Sequence, residues 1–229
     1  SCDFLDETAY NKVTVGNFYT TKDGITNGVN GLYSTLRGMY IQEYLIYMCE
    51  GPSDIWIGHQ GHEQWYNWTI DATNADVRSF WYSCYKSVNQ CNAVIESLEN
   101  NDIPGLDEDL KTRFLAESLF IRAHYFYHLV QQFGDIPMPL KPTNSVETTA
   151  HKTKVDEVWN QIVTDLEFAV ENLPETYQAS EFGHITKYAA MHHLSRVYLT
   201  LKRSDDDLKK ALNYAEQVIN SGKYSLVKS

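Results

Sequence analysis

The chain has 229 residues, 43% of them hydrophobic and 13% aromatic, and a formal net charge of -11. That length and apolar content exclude a disordered chain and supply ample core for one large domain or two small ones. The acidic balance argues against a nucleic-acid reader, because the one notable basic cluster (Lys202, Arg203, Lys209 and Lys210) is interrupted by Asp205, Asp206 and Asp207.

Sixteen tyrosines and five tryptophans exceed the usual needs of a core. Such residues join apolar area to a polar tip, so a surplus often lines a binding surface, although a tyrosine-rich helical core accounts for most of them. No run approaches the roughly 20 apolar residues of a membrane span.

Residues 1–20 are polar and irregular. From Asp23 a helical pattern carries Ile25, Val29, Leu32, Tyr33 and Leu36 and continues weakly to Tyr47, with glycines at 24, 28, 31 and 38 lowering its regularity. Residues 49–79, with Gly51, Pro52, Gly58 and Gly61, show no sustained period and are expected to form a long loop with at most short elements. Phe80 to Leu98 is a helix whose stripe is Trp81, Cys84, Tyr85, Val88, Cys91, Asn92 and Ile95, with Asn89 at its edge. Cys84 and Cys91 stand about 10 Å apart along that helix, too far for a disulfide, and are expected to be small buried hydrophobes.

After a turn at Asn100 to Gly105, the segment from about Asp107 to Phe133 is the clearest helix. Ala116, Leu119, Phe120, Ala123, Phe126, Tyr127, Val130 and Phe133 form one stripe, Gly134 supplies a C-terminal cap, and Pro137 and Pro139 forbid continuation. Residues 134–152 are a Pro/Thr/Ser-rich connection. Thr153 is then expected to cap a helix through Leu173, stopped by Pro174, with Asp156 three residues beyond the cap. Thr186 caps a further helix to Leu201, and a last helix runs from about Asp206 to Ser221, closing on Gly222. The expected fold is all-α: tetratricopeptide-like helical hairpins packed as a right-handed superhelix, with long irregular loops. The strict 34-residue period of that repeat is absent.

Six segments in order, over nearly the whole chain, resemble one family. They are Cys2-Asp3-Phe4-Leu5-Asp6; Trp81, Tyr85 and Asn92, with Val88 where isoleucine is common; and Ala116-Glu117 with Arg122-Ala123 and Phe133-Gly134-Asp135-Ile136-Pro137. They continue with Asp165-Leu166, Ala169 and Leu173-Pro174; Ile185-Thr186-Lys187 with Ala189-Ala190 and Leu194 to Leu199; and Val218 to Leu226. The pattern resembles the N-terminal half of SusD/RagB-family proteins, outer-membrane glycan-binding lipoproteins of Bacteroidetes-type bacteria. The resemblance implies a surface-exposed protein of the outer membrane that binds an oligosaccharide or polysaccharide and hands it to a SusC-like TonB-dependent transporter. It also implies a lipid anchor on Cys2, preceded by small Ser1 and followed by acidic and polar residues. Residues 1–229 are expected to be one helical-repeat domain, with 1–22 as tether, 49–79 as ligand loop and 134–152 as connecting loop. The family's C-terminal half is not in this sequence.

Within the ligand loop, Ser53 to Trp68 gathers Asp54, Trp56, His59, His62, Glu63, Gln64, Trp65, Tyr66, Asn67 and Trp68. Sugars offer apolar C–H faces that stack on aromatic rings and hydroxyls that need amides and carboxylates. Asp54, Trp56, Gln64, Trp65, Tyr66, Asn67 and Trp68 are therefore the candidate glycan-binding residues. The competing reading is that Trp56 and Trp65 only tuck the loop onto the helices. No metal site is assigned: His59, His62 and Glu63 suit a solvated loop, and His124 and His128 carry Tyr125 where a metalloprotease helix has Glu. Glu117 and Arg122 are expected to be structural polar anchors. No cofactor motif is present and no catalysis is expected; Asp54 and Glu63 are available carboxylates, but nothing fixes the geometry that a glycosidase requires. The alternative to a glycan-binding protein is a helical-repeat adaptor whose role is protein contact.

Overall fold

Hydroxyl and carboxamide caps set where the helices begin. In the computed structural model, which describes residues 18–54, 61–143 and 149–225, Thr21 opens α1 (Lys22–Ile41), its hydroxyl accepting the Gly24 amide at 3.1 Å. Gly28 on α1 is a close-approach position, since a Cβ there would stand 2.5 Å from the Tyr19 ring. The glycines that weaken the helical pattern thus include one that lets the incoming chain lie flat on α1. The expected single run to Tyr47 is two helices: Gln42 turns extended (φ -88°, ψ 136°) and α2 (Glu43–Glu50) follows.

A short α3 (Glu63–Tyr66) precedes α4 (Ala75–Asn100), which Asn74 caps by accepting the Asp76 and Val77 amides at 2.9 and 3.2 Å. Asp107 caps α5 (Glu108–Phe133) and Gly134 ends it with a positive φ of 67°. Then come α6 (Val155–Asn172), a single 3₁₀ turn at Ala179–Glu181, α7 (Lys187–Leu201) capped by Thr186, and α8 (Asp205–Asn220) capped by Ser204. Among the described residues the fold is all-helical, with one isolated bridge between Ile136 and Thr153. From α4 to α8 each helix packs on its neighbours in sequence, while α1 lies against α4 and α5. Cys84 and Cys91 are buried and free, as their spacing requires.

The cap of α6 is not Thr153. The cap position is Lys154, without a side-chain cap bond, and Thr153 instead donates its amide to the Ile136 carbonyl at 2.8 Å. Asp135 does the capping from a distance, one carboxylate oxygen accepting the Val155 amide at 2.9 Å and the other the Lys154 ammonium at 2.8 Å. The Phe-Gly-Asp-Ile-Pro exit of α5 therefore fixes the start of α6.

Two buried polar clusters tie the layers together. Arg122 on α5 forks onto Asp165 of α6 with two bonds of 2.8 Å and donates to the Asn92 carbonyl oxygen of α4 at 3.1 Å. Asn92 then donates to the Pro139 carbonyl at 2.8 Å, holding the extended exit against α4. Burial raises the Asp165 carboxyl's pKa, while Arg122 and Gln161 pull it back. One helical turn away, fully buried Glu117 takes Tyr33 Oη at 2.7 Å, Tyr177 Oη at 3.1 Å and His184 Nδ1 at 2.9 Å. Burial beside that carboxylate pushes both phenols up.

Removing one side of a buried ion pair strands the other charge. Asp165→Ala should therefore lose about 3–5 kcal/mol in chemical denaturation, and a loss below about 1 kcal/mol would show that Arg122 needs no partner.

A histidine cluster lies at the α5–α7 contact. His124 lies 4.7 Å from His128 and 5.1 Å from His193 between ring centroids, with Tyr40 Oη of α1 2.8 Å from His124 Nε2 and Arg196 above the Tyr127 ring. Burial and then Arg196 lower His128, to about 4; burial, the neighbouring histidines and Arg196 lower His124, and His193 to about 3. Because the folded values lie below the unfolded value of about 6.5, protons bind the unfolded chain first as pH drops. Stability present above about pH 6.5 should fall progressively toward pH 4 and below. Urea midpoints at pH 7.5 and 4.5 should differ less in His193→Leu than in the wild type; an equal difference would acquit the cluster.

Candidate functional site

Among the described residues the candidate loop is fastened to the end of α2 and to the start of α4. Trp65, on α3, is 4% exposed, and its indole N–H donates to Asp76 in the first turn of α4 at 3.2 Å. The ring drops against Gly51 at the end of α2, where any Cβ would lie 2.9 Å from Trp65 Cβ and 2.4 Å from the Tyr47 carbonyl oxygen. His62 stacks on Tyr47 at 4.0 Å between ring centroids, with Nδ1 3.5 Å from the same Asp76 carboxylate. Asn74, already the cap of α4, donates its side-chain amide to Gln64 at 3.1 Å. The far side of the loop is closed by Asp71, which accepts the Thr73 amide at 2.8 Å and hydroxyl at 2.6 Å; those two bonds hold its carboxyl below the usual range.

Trp68 has the opposite fate from Trp65, three residues away. It is 73% exposed and sits at φ 56°, in the left-handed region that a bulky residue occupies only at a cost. The turn enforces it, with the Asn67 amide bound to the Glu63 carbonyl and the Thr69 amide to the Gln64 carbonyl, each at 3.0 Å. A non-glycine residue held there by its surroundings stores strain, and strain of this kind clusters at binding sites. Of the described tryptophans Trp68 alone is exposed; Trp81 is half-buried and Trp159 buried.

Among the other residues expected at the site, Asn67, Gln64 and Asp54 are exposed and Tyr66 is half-buried. Gln64, Tyr66, Asn67 and Trp68 share α3 and its end, and Asp54 lies on the turn that begins at Gly51. Trp65 belongs to the anchor and offers no ring face to a ligand. Trp56, His59 and Cys2 lie outside the described residues. Tyr47, Gly51, Asn74 and Asp76 are not among the site residues expected from the sequence, yet they orient the loop. Asn74 with Asp76 is a helix-start signal that pointed to them. The surface so built is one indole face flanked by carboxamides and a carboxylate, suited to a ligand with an apolar face and a hydroxyl rim. Among the described residues no cluster of three or more His, Cys, Asp or Glu side chains is placed to hold a metal ion, and no helix is long and apolar enough to cross a membrane.

A family model described as SusD-like, starch-binding associating with outer membrane, matches residues 3–199. A SusD-like protein of Bacteroides ovatus is 25% identical over 97% of this chain, and the chain spans 42% of that relative's length. Another, SusD-like protein P2 of Formosa agariphila, is 28% identical over 96% of this chain, which spans 43% of it. A laminarin-binding SusD-like protein of known structure superposes with a TM-score of 0.75 at 24% identity, over 92% of this chain and 46% of the other. At that identity the structural likeness establishes the fold.

The two tryptophans should separate cleanly in stability. Trp65→Ala should cost about 3–5 kcal/mol as a buried aromatic truncation. Trp68→Gly should gain roughly 1 kcal/mol by relieving the left-handed strain. Denaturant titration checks both, and a destabilised Trp68→Gly would mean that the indole packs against the fold.

Proposed function

The chain belongs to the SusD-like family, and we propose on that footing that it is the N-terminal helical part of a carbohydrate-binding protein of the outer-membrane surface. The observation that carries this reading is Trp68, an exposed indole presented in a strained conformation by a loop braced on α2 and α4. In this reading a pyranose ring stacks on Trp68 while Asn67, Gln64, Tyr66 and Asp54 meet its hydroxyls, with Trp56 a further candidate. Solved structures of this fold point to the same ligand class: one, at 23% identity and TM-score 0.80, contains a xylogluco-oligosaccharide, and a SusD-like protein binds laminarin. No step of bond cleavage is assigned, and the protein acts by binding.

The family also suggests delivery to a SusC-like TonB-dependent transporter, with anchoring through a lipid on Cys2. An observation favours a protein-contact role beside the ligand site: Leu199 on α7 and Leu212 and Ile219 on adjacent α8 are exposed. Leu212 and Ile219 are seven residues apart, hence on one face of α8. We assign the single domain 1–229 to both tasks, loop 49–79 to the glycan and the helical face to the partner.

Calorimetric titration of the full-length protein with starch, laminarin and xyloglucan oligosaccharides tests the reading. At least one should bind, and Trp68→Ala should weaken it tenfold or more, on the order of 1.4 kcal/mol. Absence of binding to all three, or unchanged affinity in Trp68→Ala, would remove the site.

A further inference from the structure

The loop between α6 and α7 presents a large apolar residue away from the described core. Phe182 is 94% exposed at the tip of that loop. The loop itself is firmly held: Tyr177 Oη lies 3.1 Å from both Glu117 and the Ile185 carbonyl, Arg113 pairs with Glu181 at 2.8 Å, and the Ile185 amide donates to Tyr33 Oη at 3.1 Å. The Lys187 amide closes its base on the Pro174 carbonyl at 2.8 Å. Floppiness therefore does not explain the exposed ring.

Beside Phe182 opens a cavity of about 410 Å³, within the range of small-ligand sites, lined by Tyr177, His184, Thr186, Lys223 and Tyr224 among others. Tyr224 faces it 56% exposed, its ring set edge-on to Tyr188 at 6.1 Å and its hydroxyl 3.1 Å from Thr186 Oγ1. Lys223 and Glu175 both stand on the lining, so the rim carries one charge of each sign and favours neither an anion nor a cation. Two exposed aromatic faces, hydroxyls and balanced charge suit a neutral polyhydroxylated ligand with an apolar face.

We propose that Phe182 and Tyr224 form a second carbohydrate subsite, separate from the Trp68 loop, that takes one or two pyranose units. It rests on the carbohydrate-binding reading above, which supplies the ligand class. Both loops are referenced to the same helices: the Trp68 loop to α4, which packs on α5, and the Phe182 loop to α5 through Glu117. Both sites are thus held on packed helices, and a glycan long enough to reach both would gain avidity from the second.

The test is calorimetry on the full-length protein with starch, laminarin and xyloglucan oligosaccharides, comparing wild type, Phe182→Ala, Phe182→Tyr, Tyr224→Phe and Trp68→Ala. Phe182→Ala should bind roughly three- to tenfold more weakly, as expected for loss of one stacked ring, at an unchanged melting temperature, with Phe182→Tyr near wild type. Tyr224→Phe, which keeps the ring and removes only the hydroxyl, should weaken binding less than Phe182→Ala. Wild-type affinity in both Phe182→Ala and Tyr224→Phe, alongside a loss in Trp68→Ala, overturns the subsite and leaves the first site standing. Failure of the wild type to bind any of the three glycans overturns the carbohydrate reading itself, and the subsite with it.

Discussion

The Arg122 guanidinium stands at the junction of three helices and one extended segment, and their mutual placement follows from how it is satisfied. Its two bonds to Asp165 set α6 against α5, and its bond to Asn92 sets α4 against α5. Because Asn92 spends its amide hydrogens on the Pro139 and Lys141 carbonyls, the Pro-rich exit from α5 is held along α4 as well. A planar fork with fixed donor directions does this better than an ammonium, whose hydrogen bonds carry little orientation. Replacing both ionic partners with apolar groups of similar volume is often neutral for stability, and it removes the directional bonds that orient these helices here.

Glu117 plays the same part for the loops that Arg122 plays for the helices. It gathers a phenol from α1 and a phenol and an imidazole from the α6–α7 loop, so distant parts of the chain share one buried carboxylate. Asp76 does this on a smaller scale, drawing in Trp65 and His62. In each case a buried or half-buried carboxylate collects aromatic residues that carry a hydrogen-bond donor. Two of the sixteen tyrosines, Tyr33 and Tyr177, serve this way, packing with their rings and bonding with their tips. Among the described tyrosines, Tyr40, Tyr82 and Tyr224 are exposed.

The helices were legible because their apolar stripes repeat, and the boundaries were legible where a cap lies next to its helix, as at Thr186 and Asp107. Where the cap acts through space the signal vanished. Asp135 precedes Val155 by twenty residues, so Thr153 looked like the better cap although its hydroxyl takes no part. The first turn of α4, Ala75 to Ser79, is polar and showed no period, so the helix was expected to begin at Phe80. The break at Gln42 has no glycine or proline to mark it. Trp65 and Trp68 have the same chemistry in the same short stretch, and of the two it is Trp65 that packs on Gly51, fourteen residues before it, and bonds to Asp76. Local pattern cannot rank such a pair, because the deciding partner is tertiary.

Presenting aromatic rings from rigid supports has an energetic consequence for a weak ligand such as a sugar. A stacked ring contributes only on the order of 1 kcal/mol, comparable with the entropy lost when one mobile side chain is ordered on binding. A platform that had to be ordered at the moment of contact would therefore contribute almost nothing net. At Trp68 the backbone has already been ordered on folding, through the Asn67 and Thr69 amide bonds, so only the side-chain rotations of the indole remain to be fixed on contact. Its left-handed backbone costs about 1–2 kcal/mol, a cost borne by the stability of the fold and hence absent from the binding equilibrium. The hubs at Arg122, Glu117 and Asp76 are what allow the fold to carry it.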